Sequence, residues 1–102
     1  MTKSFNERCY QLLKEIPEGK VTTYKVLAEA LNTRAWRAVG TALAKNERLF
    51  EVPCHRVVRT NGETGEFALG AQRKIDTLLL EGIEVENGRV KNLQQYLYRF
   101  RD

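Results

Sequence analysis

Two stretches of helical apolar spacing, Val26-Leu27-Ala30-Leu31 and Ala35-Val39-Ala42-Leu43, are separated by little more than Asn32-Thr33. Both repeat every three to four residues, the spacing that puts apolar side chains on one helix face. Thr22 or Thr23 can cap the first helix, and Thr33 can cap a second from about Arg34 to Lys45. Two short helices joined by so tight a polar turn constrain the chain to a helix-turn-helix arrangement. The outward face of the second helix carries Arg37, Gly40, Thr41 and Ala44, one cation followed by small side chains. Glycine inside a helix costs about 1 kcal/mol against alanine. Gly40 therefore needs a reason, either a closely packed helix or the backbone of a nucleic acid.

Around this pair the chain reads as mainly helical with short strands. Phe5, Cys9, Leu12, Leu13 and Ile16 share a helix face that ends at Pro17, and Cys9 on that face reads as a small buried hydrophobe. Pro17 to Lys20 is a turn, and Asn61-Gly62 and Thr64-Gly65 mark two more. Ala71, Ile75, Leu78 and Leu79 predict a fourth helix closed by Gly82. Glu86 to Arg89 predicts a small hairpin between Val85 and Val90, and Leu93, Tyr96, Leu97 and Phe100 a last short helix. The expected fold is thus α/β, mainly helical, with a winged-helix-like helix-turn-helix in one domain over residues 1–102.

The net charge is +4, and all of it falls between Arg34 and Arg59. Arg34, Arg37, Lys45, Arg48, Arg56 and Arg59 stand there against Glu47 and Glu51. A localised cationic segment fits an anionic partner, nucleic acid first, although a solvated basic face has the same composition. The two cysteines, Cys9 and Cys54, are too few for a disulfide scaffold. With a single histidine the chain lacks the ligands of a structural zinc site, so no metal is expected. No apolar run approaches the roughly 18 residues of a membrane span, and the first eight residues are too polar for a secretory signal. An intracellular protein is expected, cytoplasmic, or nuclear in a eukaryote.

Chemistry concentrates in Val52-Pro53-Cys54-His55-Arg56-Val57-Val58. A thiolate is the reactive form of cysteine, and a neighbouring histidine and cations favour it. Glu81, near the end of the fourth helix where the dipole disfavours an acid, is a candidate to orient His55; an exposed glutamate is the plainer alternative.

Four blocks occur in order: Ile16-Pro17-Glu18-Gly19-Lys20-Val21-Thr22-Thr23-Tyr24, Arg37-Ala38-Val39-Gly40, Pro53-Cys54-His55-Arg56-Val57-Val58 and Glu81-Gly82-Ile83. Together they resemble the C-terminal, DNA-binding and active-site domain of the O6-alkylguanine-DNA alkyltransferases, from about Phe5 to Ile83. The resemblance implies direct repair of O6-alkylguanine in double-stranded DNA, with no cofactor, by a monomer that acts once. It makes Cys54 the alkyl acceptor, His55 the group that draws off its proton through a water, and Glu81 the group that orients His55. It makes Asn46 a hinge behind the active site, Arg37 the finger that fills the vacated base stack, and Tyr24 the residue that crowds the lesion's 3′ phosphate. Gly40, Thr41, Ala44 and Lys45 would then face DNA, and Pro53, Phe67 and Ala68 would wall the base pocket.

The sequence departs from the family pattern at four points. It lacks the N-terminal domain usual in full-length members, and Glu47 follows Asn46 where proline is usual. Trp36 stands beside Arg37 where a small residue is frequent, and Gly65-Glu66-Phe67 replaces Gly-Gly-Tyr. Alkyltransferase-like proteins, which bind the lesion without repairing it and recruit excision repair, share this short build. They carry tryptophan where the acceptor cysteine would be. A sequence-specific regulator would explain the helix pair but not the Pro-Cys-His block.

Overall fold

The computed structural model describes residues 4–100. The ends of the 1–102 span, Met1–Lys3 of the polar N-terminus among them, lie outside the described residues. Helix α1 covers Phe5–Leu13 and is capped by Ser4, whose Oγ accepts from the Glu7 amide at 3.1 Å. Strand β1 (Thr22–Thr23) runs directly into α2 (Tyr24–Ala30), with the Thr23 hydroxyl accepting from the Val26 amide as the cap. Helix α3 covers Trp36–Ala44, and a 3-10 turn at Cys54–Arg56 leads into β2 (Val57–Val58). Helix α4 (Ala71–Leu80), the hairpin β3 (Val85–Glu86) and β4 (Arg89–Val90), and the short α5 (Leu93–Tyr96) complete the order. The mainly helical α/β fold with a helix-turn-helix is therefore the observed one.

Strand β2 divides the interior. It pairs parallel to β1, Thr22 opposite Val57 and Thr23 opposite Val58, and α2 and α3 form the crossover that a parallel pair requires. Successive side chains of a strand face opposite ways. Val57 accordingly packs with Cys9, Leu13, Leu27, Val39 and Ala42 under the first three helices. Val58 packs with Val21, Leu78, Ile83 and Tyr96 under α4 and the hairpin. The Tyr10 hydroxyl donates to the Ala42 carbonyl at 2.7 Å and fixes α1 against α3.

Local reading erred where tertiary structure decides. Helix α3 starts two residues later than expected, because Thr33 Oγ1 accepts from the Ala35 amide and forms a turn before the helix. Ala35 and Ala30 are exposed, and Ala28 takes the buried place on α2. On α4, Ala71 and Leu79 face solvent while Lys74 is buried. Leu97 leaves α5 and bridges Val21, so the last segment lies along β1 instead of continuing as a helix. Among the described residues no helix is long and apolar enough to cross a membrane.

Candidate active site

Two anchors hold the Pro53-Cys54-His55-Arg56 turn. Behind it, Asn46 is buried just past α3; its Nδ2 donates to the Val52 carbonyl at 2.9 Å and its Oδ1 accepts from the Arg48 amide at 3.0 Å. That pair of bonds fixes the chain two residues before Cys54. In front of it, Glu81 caps α4 and receives two partners at once. His55 Nε2 lies 2.9 Å from Glu81 Oε2, and Arg56 donates from Nε to Oε1 at 2.9 Å and from a terminal nitrogen to Oε2 at 2.7 Å. Arg56 also donates to the Ile16 carbonyl at 2.8 Å. Counted with the cations free for DNA, Arg56 is instead internal wiring. The acid placed against its helix dipole is paired on both oxygens.

This array sets the protonation of His55. The residue is 1% exposed, and burial lowers its pKa; the Glu81 carboxylate opposes that, while Arg56 and Lys74 add to it. Burial would raise the Glu81 pKa, but the hydrogen bonds from Arg56 and His55 outweigh it and the carboxyl titrates below its ordinary value. A neutral imidazole beside a carboxylate donates Nε2–H to it, which leaves Nδ1 as the lone-pair nitrogen. Nδ1 is buried and has no hydrogen-bond partner among the described residues. Such an atom is a proton acceptor in waiting. The rings of Phe50 and Phe67 close around the imidazole, with centroids 5.4 and 6.3 Å from it.

Cys54 itself is 7% exposed and opens onto a cleft of about 680 Å³. The helix-turn-helix forms one side of the cleft, with Tyr24 from α2 and Trp36, Arg37, Gly40, Thr41 and Ala44 from α3. Arg59, Glu66, Phe67 and Ala68 form the other. A Cβ built on Gly40 would meet no atom within 4 Å, so among the described residues no packed helix explains that glycine. The Tyr24 phenol is held above its ordinary pKa by burial, partly offset by Arg59, and stays protonated at neutral pH. Pro53 is buried behind the turn and is not part of the cleft wall. Lys45 faces a separate hollow of about 450 Å³ with Lys14, Asn46 and Arg48. Cys9 is fully buried, its thiol pushed up to about 11 by desolvation and by Cys54.

Lys74 escaped the sequence reading. It is 1% exposed, and its Nζ donates to the Val57 carbonyl at 2.7 Å and to the Glu66 carbonyl at 3.3 Å. It thereby ties the loop carrying Phe67 to the strand that follows the Cys54 turn. Burial lowers its pKa to about 8. Gly65 sits at φ +77, a conformation other residues rarely adopt, and a Cβ built on it would lie 3.9 Å from that ammonium. The signal in the sequence was its spacing: Lys74 lies four residues before the buried Leu78.

Residues 4–83 match the family described as the DNA-binding domain of 6-O-methylguanine DNA methyltransferase. A bifunctional methyltransferase/endonuclease of Picrophilus torridus is 43% identical over 90 residues, covering 87% of this chain and 30% of that protein. A methylated-DNA–protein-cysteine methyltransferase of Metallosphaera sedula is likewise 43% identical over 90 residues, covering 88% of this chain and 56% of that one. The chain thus spans only about a third to a half of these curated relatives. Among solved structures, S. pombe Atl1 bound to damaged DNA containing O6-carboxymethylguanine is similar with a TM-score of 0.83 and 32% identity, over 96% of this chain and 99% of that one. Mycobacterium tuberculosis OGT in complex with DNA follows with a TM-score of 0.74 and 34% identity, over 79% and 51% of the two chains.

Proposed function

The chain belongs to the 6-O-methylguanine DNA methyltransferase family through its DNA-binding domain, and from that we propose that it repairs O6-alkylguanine in double-stranded DNA by one irreversible transfer of the alkyl group to Cys54. The observation that carries the reading is the continuity from cleft to base. Cys54 opens on the cleft, and its neighbour His55 holds a buried, unpartnered Nδ1 while Glu81 and Arg56 fix the opposite edge of the ring.

In this reading the Cys54 thiol proton passes to His55 Nδ1 through a water, and Glu81 balances the imidazolium that forms. The thiolate sulfur attacks the alkyl carbon in line with the C–O6 bond. A C–S bond forms, the C–O6 bond breaks, and its electron pair stays on guanine, which takes up a proton. Tyr24, a neutral phenol on the cleft wall, is the candidate donor, and the proton left on His55 restores the phenol through water. In-line geometry is what the rigid turn between Asn46 and Glu81 supplies.

A base inside a duplex cannot reach a thiol at 7% exposure, so the lesion must be flipped out. Arg37 fills the gap it leaves, Tyr24 turns the 3′ phosphate, and Gly40, Thr41 and Ala44 let α3 enter the minor groove. Phe67 and Ala68 wall the pocket, with Pro53 supporting it from behind. Lys45, on the neighbouring hollow, is left for flanking phosphates. We extend the same reading to the organisation of the chain, one domain over residues 1–102 acting as a monomer.

One observation favours a second reading. The likeness to Atl1 runs over nearly the whole of both chains, which fits a protein that flags lesions for excision repair. Cys54 separates the two. Cys54→Ala should abolish transfer from an O6-methylguanine duplex and leave DNA affinity within about twofold, because a thiol is not a phosphate contact. Undiminished repair by that variant would refute the assignment of Cys54.

A further inference from the structure

Trp36 has no task in that reaction, yet it lines the cleft. It is the single tryptophan of the sequence and the first residue of α3. It is 56% exposed, and among the described residues no aromatic ring stacks on it. A half-exposed indole lining a cleft offers a large aromatic face for a ligand to cover. Its surroundings say what that is. Arg37 follows it, Arg59 lines the same cleft along with Glu66, and the first turn of α3 holds no acid. An aromatic face set among cations is the arrangement that holds an unstacked nucleobase, with phosphates on the cations and the base on the ring.

We infer that Trp36 is a stacking platform for a nucleobase beside the flipped lesion, a second contact to the opened base stack next to Arg37. Consecutive residues of a helix point about 100° apart, so the two side chains cannot fill the same gap. Arg37 enters the gap and Trp36 covers an exposed base at its edge. A tryptophan does this at low entropic cost, with only two side-chain torsions to fix. The inference rests on the DNA-repair reading above and adds a contact that favours the open duplex.

The single tryptophan makes the test direct. Indole emission is followed while the full chain is titrated with a duplex containing O6-methylguanine, and binding is followed separately by anisotropy of the labelled duplex. Emission should be quenched saturably at one duplex per chain. Trp36→Ala should weaken duplex binding roughly 5- to 150-fold, the range that base stacking on an aromatic gives, and Trp36→Phe should recover most of the loss. Because the side chain is mostly exposed, neither change should alter the helical far-UV circular dichroism. A rise in anisotropy with unchanged emission, or unimpaired binding by Trp36→Ala, overturns the role of Trp36 and leaves the repair reading standing. An emission shift that follows protein concentration without DNA assigns the indole to a second copy of the chain and overturns the inference. Failure of the wild-type chain to bind the duplex at all overturns the repair reading and the inference together.

Discussion

Replacing Lys74 by methionine tests whether the pocket loop is held by a buried charge. In the folded chain the amine is desolvated and titrates at about 8, against 10.5 for an ordinary lysine. At pH 7 both folded and unfolded chains carry the proton, and the depressed pKa means that holding it costs the fold about 3 kcal/mol. Methionine removes that cost but takes the donor from the Val57 and Glu66 carbonyls, a loss of about 1–3 kcal/mol. The variant should therefore be between equally stable and about 2 kcal/mol more stable at pH 7.

The pH dependence has a definite sign. Between pH 8 and 10.5 the unfolded chain holds the Lys74 proton and the folded one does not, so stability rises with pH across that window. Cys9 acts oppositely, since its raised pKa keeps the proton in the folded state as the unfolded thiol ionises. Urea unfolding of wild type and Lys74→Met at several pH values cancels that shared contribution. The stability of wild type relative to the variant should climb by about 3 kcal/mol from pH 7.5 to 10.5. A flat difference would refute the account of Lys74 as a desolvated, charged tether. Transfer by the variant should slow even where the fold is as stable, because the loop bearing Phe67 has lost its tie.

Arg37→Ala should slow repair of duplex DNA at least tenfold more than transfer from free O6-benzylguanine, since only the duplex leaves a gap to fill; equal losses would put Arg37 in a pocket role. Glu81→Gln should lower the single-turnover transfer rate at neutral pH by about tenfold or more and cost about 3 kcal/mol of stability in urea, because His55 and Arg56 lose a shared, nearly buried counter-charge. In the wild type, the depressed pKa values of His55 and Glu81 both make stability fall with acid, first as pH drops below about 6.5 and then below about 4.5. The Gln variant should lose the second step in a pH series of urea melts, and its persistence would place that step elsewhere.

Much of this architecture could be read from spacing. Phe5, Cys9 and Leu13 mark α1, and Asn87-Gly88, both at positive φ, close the hairpin that Glu86 to Arg89 predicts. The His55–Glu81 contact was legible because an acid at a helix C-terminus calls for a partner. What failed were features decided by distant chain. The β1–β2 pair joins two-residue strands 35 positions apart, too short to show alternation. Arg56 reads as one more cation until the fold brings it to Glu81, and Lys74 reads as solvent-facing because charge hides its position on the buried face of α4. Phe50 gave no sign at all. It sits at φ +74, a conformation costing about 1–2 kcal/mol for a residue with a side chain, with its ring against His55. The Arg73 guanidinium lies 5.7 Å above that ring, so two residues from separate segments hold the roof of the imidazole.

The most direct measurement is the intact mass of protein and DNA after the full chain meets a duplex carrying one O6-methylguanine. Transfer to Cys54 predicts that the protein gains one methyl group per duplex repaired, that peptide mapping places it on Cys54, and that the DNA strand loses the same mass. A protein of unchanged mass that nonetheless holds the lesion duplex tightly would contradict the transfer and favour the lesion-binding reading in its place.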